Sequence, residues 1–531
     1  MRRFNSYGPV DKEQHYFVPR NELIDMAYTQ LIGDNPRKGG HYITVWAPRQ
    51  CGKTWVMQET LEKINRDHEY ETAILSMELA KNEENETKVL NILIKKMNAV
   101  FDKSFPNIQQ INDIPDLFTK QYFQKPVILI VDEFDALKEG FINRFAGVFR
   151  DMFMSRNNER NKNSWEKTCL LHGLALVGVR SVLGIENITG SPFNVQRSLH
   201  IPNLTFDEVK EMFARYEQES KQKVEKEAID RLFYETNGQP GLSCWLAEIL
   251  TETFNKEKNK PITLERFEEA YAAAIKVLPN NNILNIISKA DKEPYKQTVL
   301  ELFNTGRKIE FTYDDKNLNH LYLHGVIGQE KEGPSEYYAK FSCPFVQKRL
   351  FNYFSHDLFR QPGQLLEPMT NLDTIIDATD LHIRPLIGLY RKYLEKNKTW
   401  LFQKAPRRSD LRMYEAVFHF NFYSYLNELL RPKKGLVLPE FPTGNGKIDL
   451  LIYYSNKTYG LELKSFTDFG DFRQALAKAA LYGKQLGLAE IFLVTFVESI
   501  PDETRNTYET DYCDSDAQVT VKPVFIQTGT I

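Results

Sequence analysis

Cysteine is scarce in this sequence. Five stand among 531 residues, Cys51, Cys169, Cys244, Cys343 and Cys513, and no two lie at metal-ligand spacing. That scatter excludes a disulfide-stapled fold and a cysteine zinc site, and it suits a reducing cytosol. Long apolar runs are missing too. Stretches such as Leu174 to Val179 are far too short to cross a bilayer, and Met1-Arg2-Arg3-Phe4-Asn5-Ser6 has no apolar segment behind its charges. A cytoplasmic protein with no membrane insertion is expected. Neither sign of charge is in excess: 68 Lys and Arg face 71 Asp and Glu, for a net −3, which argues against a protein that coats a polyanion over its whole surface. Internal repeats and low-complexity tracts are absent, and the acidic stretch from Asp502 to Asp516 reads as a solvated surface loop.

What is present is ordinary globular composition, 42% hydrophobic and 26% charged, in a chain long enough for two to four domains. Between Tyr42 and Leu204 short apolar runs alternate with helical patterns, which predicts a parallel sheet covered by helices. Its strands are placed at Tyr42 to Trp46, Thr72 to Ser76, Val127 to Val131 and Leu174 to Val179. From Thr205-Phe206-Asp207-Glu208, a capping-box spacing, the pattern turns helical. Residues Lys289 to Ser355 have the outline of a winged helix, with a two-stranded wing at Gly325 to Glu330 and Tyr337 to Phe341 and a last helix from Phe345. Basic residues are few there, which favours packing against protein over reading DNA. Gln361-Pro362-Gly363-Gln364 marks a boundary, a polar helical connector follows, and a further unit begins near Trp400.

Ala47-Pro48-Arg49-Gln50-Cys51-Gly52-Lys53-Thr54 follows a predicted strand and opens a predicted helix. In that context the segment is a phosphate-binding loop: its backbone N–H groups curl around phosphates, with the positive end of the helix dipole behind them. Lys53 would reach the β- and γ-phosphates and Thr54 would hold Mg²⁺. Lys125-Pro126-Val127-Ile128-Leu129-Ile130-Val131-Asp132-Glu133 is a buried apolar strand ending in two carboxylates. Asp132 would contact Mg²⁺ through water and Glu133 would polarise the attacking water as general base. ATP and Mg²⁺ are the expected cofactors.

On these residues the chain resembles the archaeal-type ATPases of the STAND group of AAA-related P-loop proteins. Phe17-Val18-Pro19-Arg20-Asn21-Glu22-Leu23 is similar to that group's adenine-side motif, which brings Arg20 into the nucleotide site. Leu176-Val177-Gly178-Val179-Arg180-Ser181 resembles its sensing strand, Ser191-Pro192-Phe193-Asn194 the segment after it, and Asn237-Gly238-Gln239-Pro240-Gly241 its lid turn. The resemblance runs from about residue 10 to 355. It implies that Arg180 senses the γ-phosphate; an arginine bridging strand end and helix is the other reading. Arg150, Arg156, Arg160 and Arg197 are equivalent candidates for an arginine finger, and a finger working in trans would require a homo-oligomer.

A second constellation lies near the far end. Gly446 to Tyr453 alternates as a strand, Ser455-Asn456-Lys457 turns it, and Thr458 to Lys464 returns, so Asp449 begins one strand while Glu462 and Lys464 share a face of the next. On a helix at about 100° per residue, Leu411, Phe418, Phe422, Leu426 and Leu429 fall within about 60° of Glu415. Glu415 is therefore buried and needs a metal or a basic partner, while Glu428 faces away. Hard oxygen ligands beside an ammonium suit metal-assisted phosphodiester hydrolysis, with Asp449 and Glu462 as Mg²⁺ ligands, Glu415 as a third acid and Lys464 orienting water.

In order and context Glu415, Asp449 and Glu462-Leu463-Lys464 resemble the PD-(D/E)XK nuclease superfamily, over roughly Arg407 to Val497. Gln474, Lys478 and Tyr482 lie on one helix stripe and are similar to the Q…Y element of one of its branches, which implies DNA contact. That superfamily includes inactive members. Between Arg391 and Lys434 eleven basic residues, among them Arg407, Arg408 and Arg412, face four acids, with Trp400, Phe402 and Tyr414 interleaved as stacking surfaces for nucleic acid. A solvated linker and helix face explains the same charges.

The expected fold class is α/β: a P-loop NTPase with parallel sheet, helical lid and winged helix, plus a C-terminal α/β restriction-endonuclease-like domain. The boundaries are a P-loop ATPase core at 1–204, lid at 205–288, winged-helix-like domain at 289–358, helical linker at 359–399 and nuclease-like domain at 400–531. The function these imply is ATP-controlled, Mg²⁺-dependent cleavage of DNA; the alternative is a STAND-type switch or scaffold whose nuclease-like module binds DNA or a protein partner without cutting.

Overall fold

The computed structural model describes residues 1–67, 69–178, 197–303, 308–361, 363–367, 370–409, 412–443 and 446–529; at 441–443 and 446 only the backbone is described. The chain divides into two compact units, Met1–Asn282 with Tyr322–Gly325, and Ile283–Leu321 with Val326–Ile531.

The first unit is built on a sheet of five parallel strands, β1 (Tyr42–Trp46), β2 (Glu71–Ser76), β3 (Val127–Asp132), β4 (Leu171–Gly178) and β5 (Arg197–His200), in the order β2-β3-β4-β1-β5. Every residue of β3 and β4 is buried, as expected of strands covered on both faces. One face packs on the helices Glu86–Phe101 and Glu139–Asn158, the other on Asn21–Ile32 and Lys53–Asn65. Four strands lie where the apolar runs place them. β5 does not stand out in sequence, because it is an edge strand of four residues with only Leu199 buried. Parallel strands bring the loops after β1 and β3 to one edge of the sheet, with β4 between them.

Helices Phe206–Ser220, Lys226–Thr236, Pro240–Glu248 and Leu264–Lys276 follow. The capping box at Thr205 forms: Glu208 N–H donates to Thr205 Oγ1 at 3.2 Å and Thr205 N–H to Glu208 Oε2 at 2.7 Å.

In the second unit the expected wing is an antiparallel hairpin, β6 (Ile327–Lys331) with β7 (Tyr337–Phe341), followed by the helix Pro344–Leu358. A six-stranded mixed sheet then forms from β8 (Leu436–Thr443), β9 (Gly446–Tyr454), β10 (Lys457–Ser465), β11 (Glu490–Val497), β12 (Tyr512–Asp514) and β13 (Val519–Gln527), in the order β12-β13-β11-β10-β9-β8. Ser455 and Asn456 both take positive φ, 46° and 63°, and make the two-residue turn whose twist suits the β9–β10 hairpin. The helix Phe469–Gln485 carries the chain between the parallel strands β10 and β11 and packs its apolar face on the sheet. The helix Glu415–Leu430 is buried almost all round, including Phe420 and Asn421, so its sequence shows no clean polar face. Phe420 meets Phe351 and Phe303 at ring distances of 4.9 and 5.4 Å, and Tyr390 donates its hydroxyl to Asn421 Oδ1 at 2.8 Å. The segment expected as a polar connector therefore contributes core: its helix Ile383–Leu401 buries Leu386, Ile387, Tyr390 and Leu394.

Candidate functional site

The loop between β1 and the helix Lys53–Asn65 turns through two left-handed residues, Gln50 at φ 58° and Gly52 at φ 86°. Gly52 pays little for that conformation, and it lets the helix begin at Lys53 with its free N–H groups facing the loop. Ala47, in the place of the usual first glycine, is fully buried. The Lys53 ammonium donates to the carbonyls of Ala47 and Pro48, each at 2.8 Å, and burial lowers its pKa from the ordinary lysine value. Thr54 Oγ1 donates to Asp132 Oδ2 at 2.6 Å, so the hydroxyl and carboxylate expected to share Mg²⁺ are in contact. A hydroxyl and a carboxylate fit a cation that also binds nucleotide phosphates. Glu133 stands in the left-handed region at φ 53°, its N–H donating to Asp132 Oδ1 at 2.8 Å and its carboxylate accepting from the Ser76 hydroxyl at the end of β2. Ser76 is a contact that sequence reading missed, since a serine ending a strand carries no signal of its own.

The Arg20 guanidinium donates to the carbonyls of Pro202 at 2.9 Å and Asn203 at 3.4 Å and pairs with Glu208 at 3.4 Å, which ties the Phe17–Leu23 motif to the start of the helix Phe206–Ser220. Arg180 and the segment Ser191 to Asn194 lie outside the described residues. Among the finger candidates, Arg156 is set apart by burial: it is 3% exposed and bonds to Ser164 Oγ and the Cys169 carbonyl, so it holds the interior together and cannot reach a second molecule.

In the second unit Glu415, Asp449 and Glu462 are 7%, 2% and 0% exposed. Asp449 Oδ2 accepts from Leu463 N–H at 2.7 Å and Glu415 Oε2 from Ser465 N–H at 2.7 Å, so both acids grip the strand that carries Glu462 and Lys464. Lys478 Nζ reaches Glu462 Oε1 at 3.2 Å and lies 5.1 Å from the centre of the Tyr482 ring. Burial raises Glu462 to about 8; the Asp449 charge adds to this, and the ammonium groups of Lys478 and Lys464 oppose it. Burial works against the charge on Lys478, but the Glu462 carboxylate outweighs it and holds the lysine above its ordinary value.

Among the described residues no group of three or more His, Cys, Asp and Glu side chains is placed to hold a metal ion. The remaining oxygen of Glu415 faces His419 Nε2 at 3.8 Å, and the acid is held by the Ser465 amide instead. Asp449 Oδ1 and Glu462 Oε2 are buried with no hydrogen-bond partner. Two carboxylates fit Mg²⁺, which commonly takes one or two from protein and fills the rest of its shell with water and phosphate oxygens.

Glu440, unremarked in the sequence, belongs beside this cluster. It is 3% exposed, takes φ 53° where β8 faces Asp449 between the pairs Pro439–Leu450 and Phe441–Ile448, and pairs with Lys447 at 2.7 Å. The prolines on either side, Pro439 and Pro442, were the available signal for an irregular strand.

The expected nucleic-acid contacts separate. Lys478 and Tyr482 join the acidic cluster while Gln474 is exposed. Arg407 and Arg412 are exposed on a short loop closed by the Arg412 carbonyl accepting from Arg408 N–H at 2.8 Å. Within the basic run, Arg391 pairs with Glu509 at 2.6 Å and Lys398 donates to the Thr528 carbonyl at 3.1 Å. Of the three aromatics expected to stack on bases, Phe402 and Tyr414 are core residues and only Trp400, 45% exposed, meets solvent.

Residues 5–259, just under half of the chain, match the family described as an AAA-like domain. No curated protein matches the chain. Among solved structures it is similar to the Walker-type ATPase of Pyrococcus abyssi, at 12% identity and TM-score 0.43 over 65% of this chain and 99% of that one. It is also similar to Drosophila ORC bound to DNA, at 14% identity and TM-score 0.37 over 63% and 87%. The Aeropyrum pernix ORC1 protein in complex with DNA matches at 12% identity and TM-score 0.33 over 64% and 93%. Among the described residues no helix is long and apolar enough to cross a membrane.

Proposed function

We propose, from the premise that residues 5–259 form an AAA-like P-loop ATPase domain, that this protein hydrolyses ATP with Mg²⁺ and thereby controls a Mg²⁺-dependent nuclease of PD-(D/E)XK type, built on residues 400–531, that cuts DNA. On the ATPase side, Lys53 would exchange the carbonyls of Ala47 and Pro48 for phosphate oxygens, and Thr54 with Asp132 would hold the Mg²⁺ ion. Glu133 polarises the attacking water and takes its proton once its carboxylate leaves the Ser76 hydroxyl.

The observation that carries the nuclease reading is the pair Asp449 and Glu462, deeply buried, each with one oxygen lacking a hydrogen-bond partner, beside two lysines. Burying two unsatisfied carboxylates is costly and is retained where a cation or chemistry uses them. A Mg²⁺ ion on this pair would supply Lewis-acid polarisation of a phosphate oxygen. Lys464 would orient the water that attacks phosphorus, and Lys478, paired with Glu462 at 3.2 Å, would oppose the protonation that burial favours there. Coupling requires ATP to stabilise one arrangement of the chain over another. A finger supplied in trans would make the working form a homo-oligomer.

The test incubates the whole protein with duplex and single-stranded DNA and Mg²⁺, with and without ATP. Wild type is expected to cleave, Lys464→Ala and Asp449→Asn to lose cleavage, and Lys53→Ala to cleave without response to ATP. Identical products from wild type and Lys464→Ala would remove that lysine from the mechanism. The second reading, a switch whose nuclease-like module binds DNA or a protein without cutting, is favoured by Lys478 already pairing with Glu462. DNA retention without cleavage in every sample would establish it.

A further inference from the structure

The turn into the lid helix Pro240–Glu248 is fastened to the phosphate loop. Gln239 Nε2 donates to the carbonyl of Arg49 at 3.0 Å and lies 3.4 Å from that of Gln50, while Gly241 N–H donates to the Gln50 carbonyl at 3.0 Å. The oxygen of the same side chain acts separately, since Gln239 Oε1 caps the lid helix by accepting from Leu242 N–H at 2.5 Å. The fit is close, and a Cβ on Gly241 would stand 2.6 Å from Gln50 Cβ. The turn itself is anchored by Leu204 N–H donating to the Gly238 carbonyl at 2.8 Å.

In a planar trans peptide the carbonyl oxygen and the following N–H point in opposite directions. Tying down the carbonyls of Arg49 and Gln50 therefore aims the N–H groups of Gln50 and Cys51 away from the lid turn. Those are the groups a phosphate loop presents to its ligand. We infer that Gln239 is a positioning residue for nucleotide binding: its amide, with Gly241 N–H, holds the phosphate loop in its binding shape and makes that shape depend on where the lid sits. The inference rests on residues 5–259 binding ATP. Loss of the clasp disorients two N–H donors without touching Lys53, Thr54, Asp132 or Glu133.

Gln239→Glu separates clasping from capping, because it keeps an oxygen for Leu242 N–H and replaces the donor by an acceptor set against two carbonyls. Titrating ATP–Mg²⁺ into the whole protein, we expect Gln239→Glu to raise the Kd for ATP by tenfold or more, about 1.4 kcal/mol. Gln239→Ala is expected to show the same loss of affinity together with a lower melting temperature, and Gly241→Ala, which pushes on Gln50, to weaken ATP in the same direction. A role in capping alone would leave Gln239→Glu and Gly241→Ala binding ATP like wild type, with only Gln239→Ala melting early, and that result overturns the inference. Wild-type protein that binds no ATP would instead remove the nucleotide reading, and this inference with it.

Discussion

Glu462 has its ordinary value of 4.5 in an unfolded chain and is raised to about 8 by burial in the folded one. Between those values the unfolded state is ionised while the folded state keeps its proton, so folding is progressively disfavoured as pH rises through that window. Thermal melts from about pH 5 to pH 8 are expected to show wild type losing stability relative to Glu462→Gln, with the two converging at the acid end. Parallel curves would contradict the burial argument. At the other site, Glu133→Gln is expected to retain ATP and lose about a hundredfold or more in hydrolysis, measured as phosphate release. Sequence reading placed Lys53, Thr54, Asp132 and Glu133 because each follows a recognisable run of neighbours. It could not name the contacts of Ser76, Gln239 or Glu440, which come from strands and turns elsewhere along the chain.

At the scale of elements, the buried helix Glu415–Leu430 is the piece on which the second unit depends. It carries Glu415 to the amide of Ser465 and stacks Phe420 among Phe303, Phe351 and Phe354. Phe420→Ala is expected to cost about 3–5 kcal/mol, read as a shift in urea midpoint. A change under about 1 kcal/mol would mean the aromatic cluster is loosely packed. The helical wheel correctly buried Glu415, yet a polar residue inside an apolar stripe predicts only that a partner exists. The partner proved to be a backbone amide of β10, which no periodicity could name. The same limit applies to the basic run from Arg391 to Lys434: two of its charges, Arg391 and Lys398, are taken up by Glu509 and the Thr528 carbonyl where the helix Ile383–Leu401 packs against β13.

For the molecule as a whole, two compact units, one with a nucleotide site and one with an acidic cluster, predict two separable ligand responses. In calorimetry, ATP–Mg²⁺ at a hundred times its Kd should add about 2.7 kcal/mol to the unit that binds it, and Lys53→Ala should abolish the shift. Mg²⁺ without nucleotide should stabilise the other unit, and Asp449→Asn should remove that response; a magnesium shift that survives in Asp449→Asn would exclude the acidic pair as its site. The phosphate loop, the acid-tipped strand, four strands of the first sheet and the β9–β10 hairpin were legible in the sequence because each is a local pattern of period, turn chemistry and burial. Which acids share a charged neighbourhood, which aromatics stay exposed and which side chains clasp the phosphate loop were decided only by tertiary structure. Those contacts join residues 14, 50 and 190 positions apart, and their energies arise from desolvation and hydrogen bonding that exist only once the chain has packed.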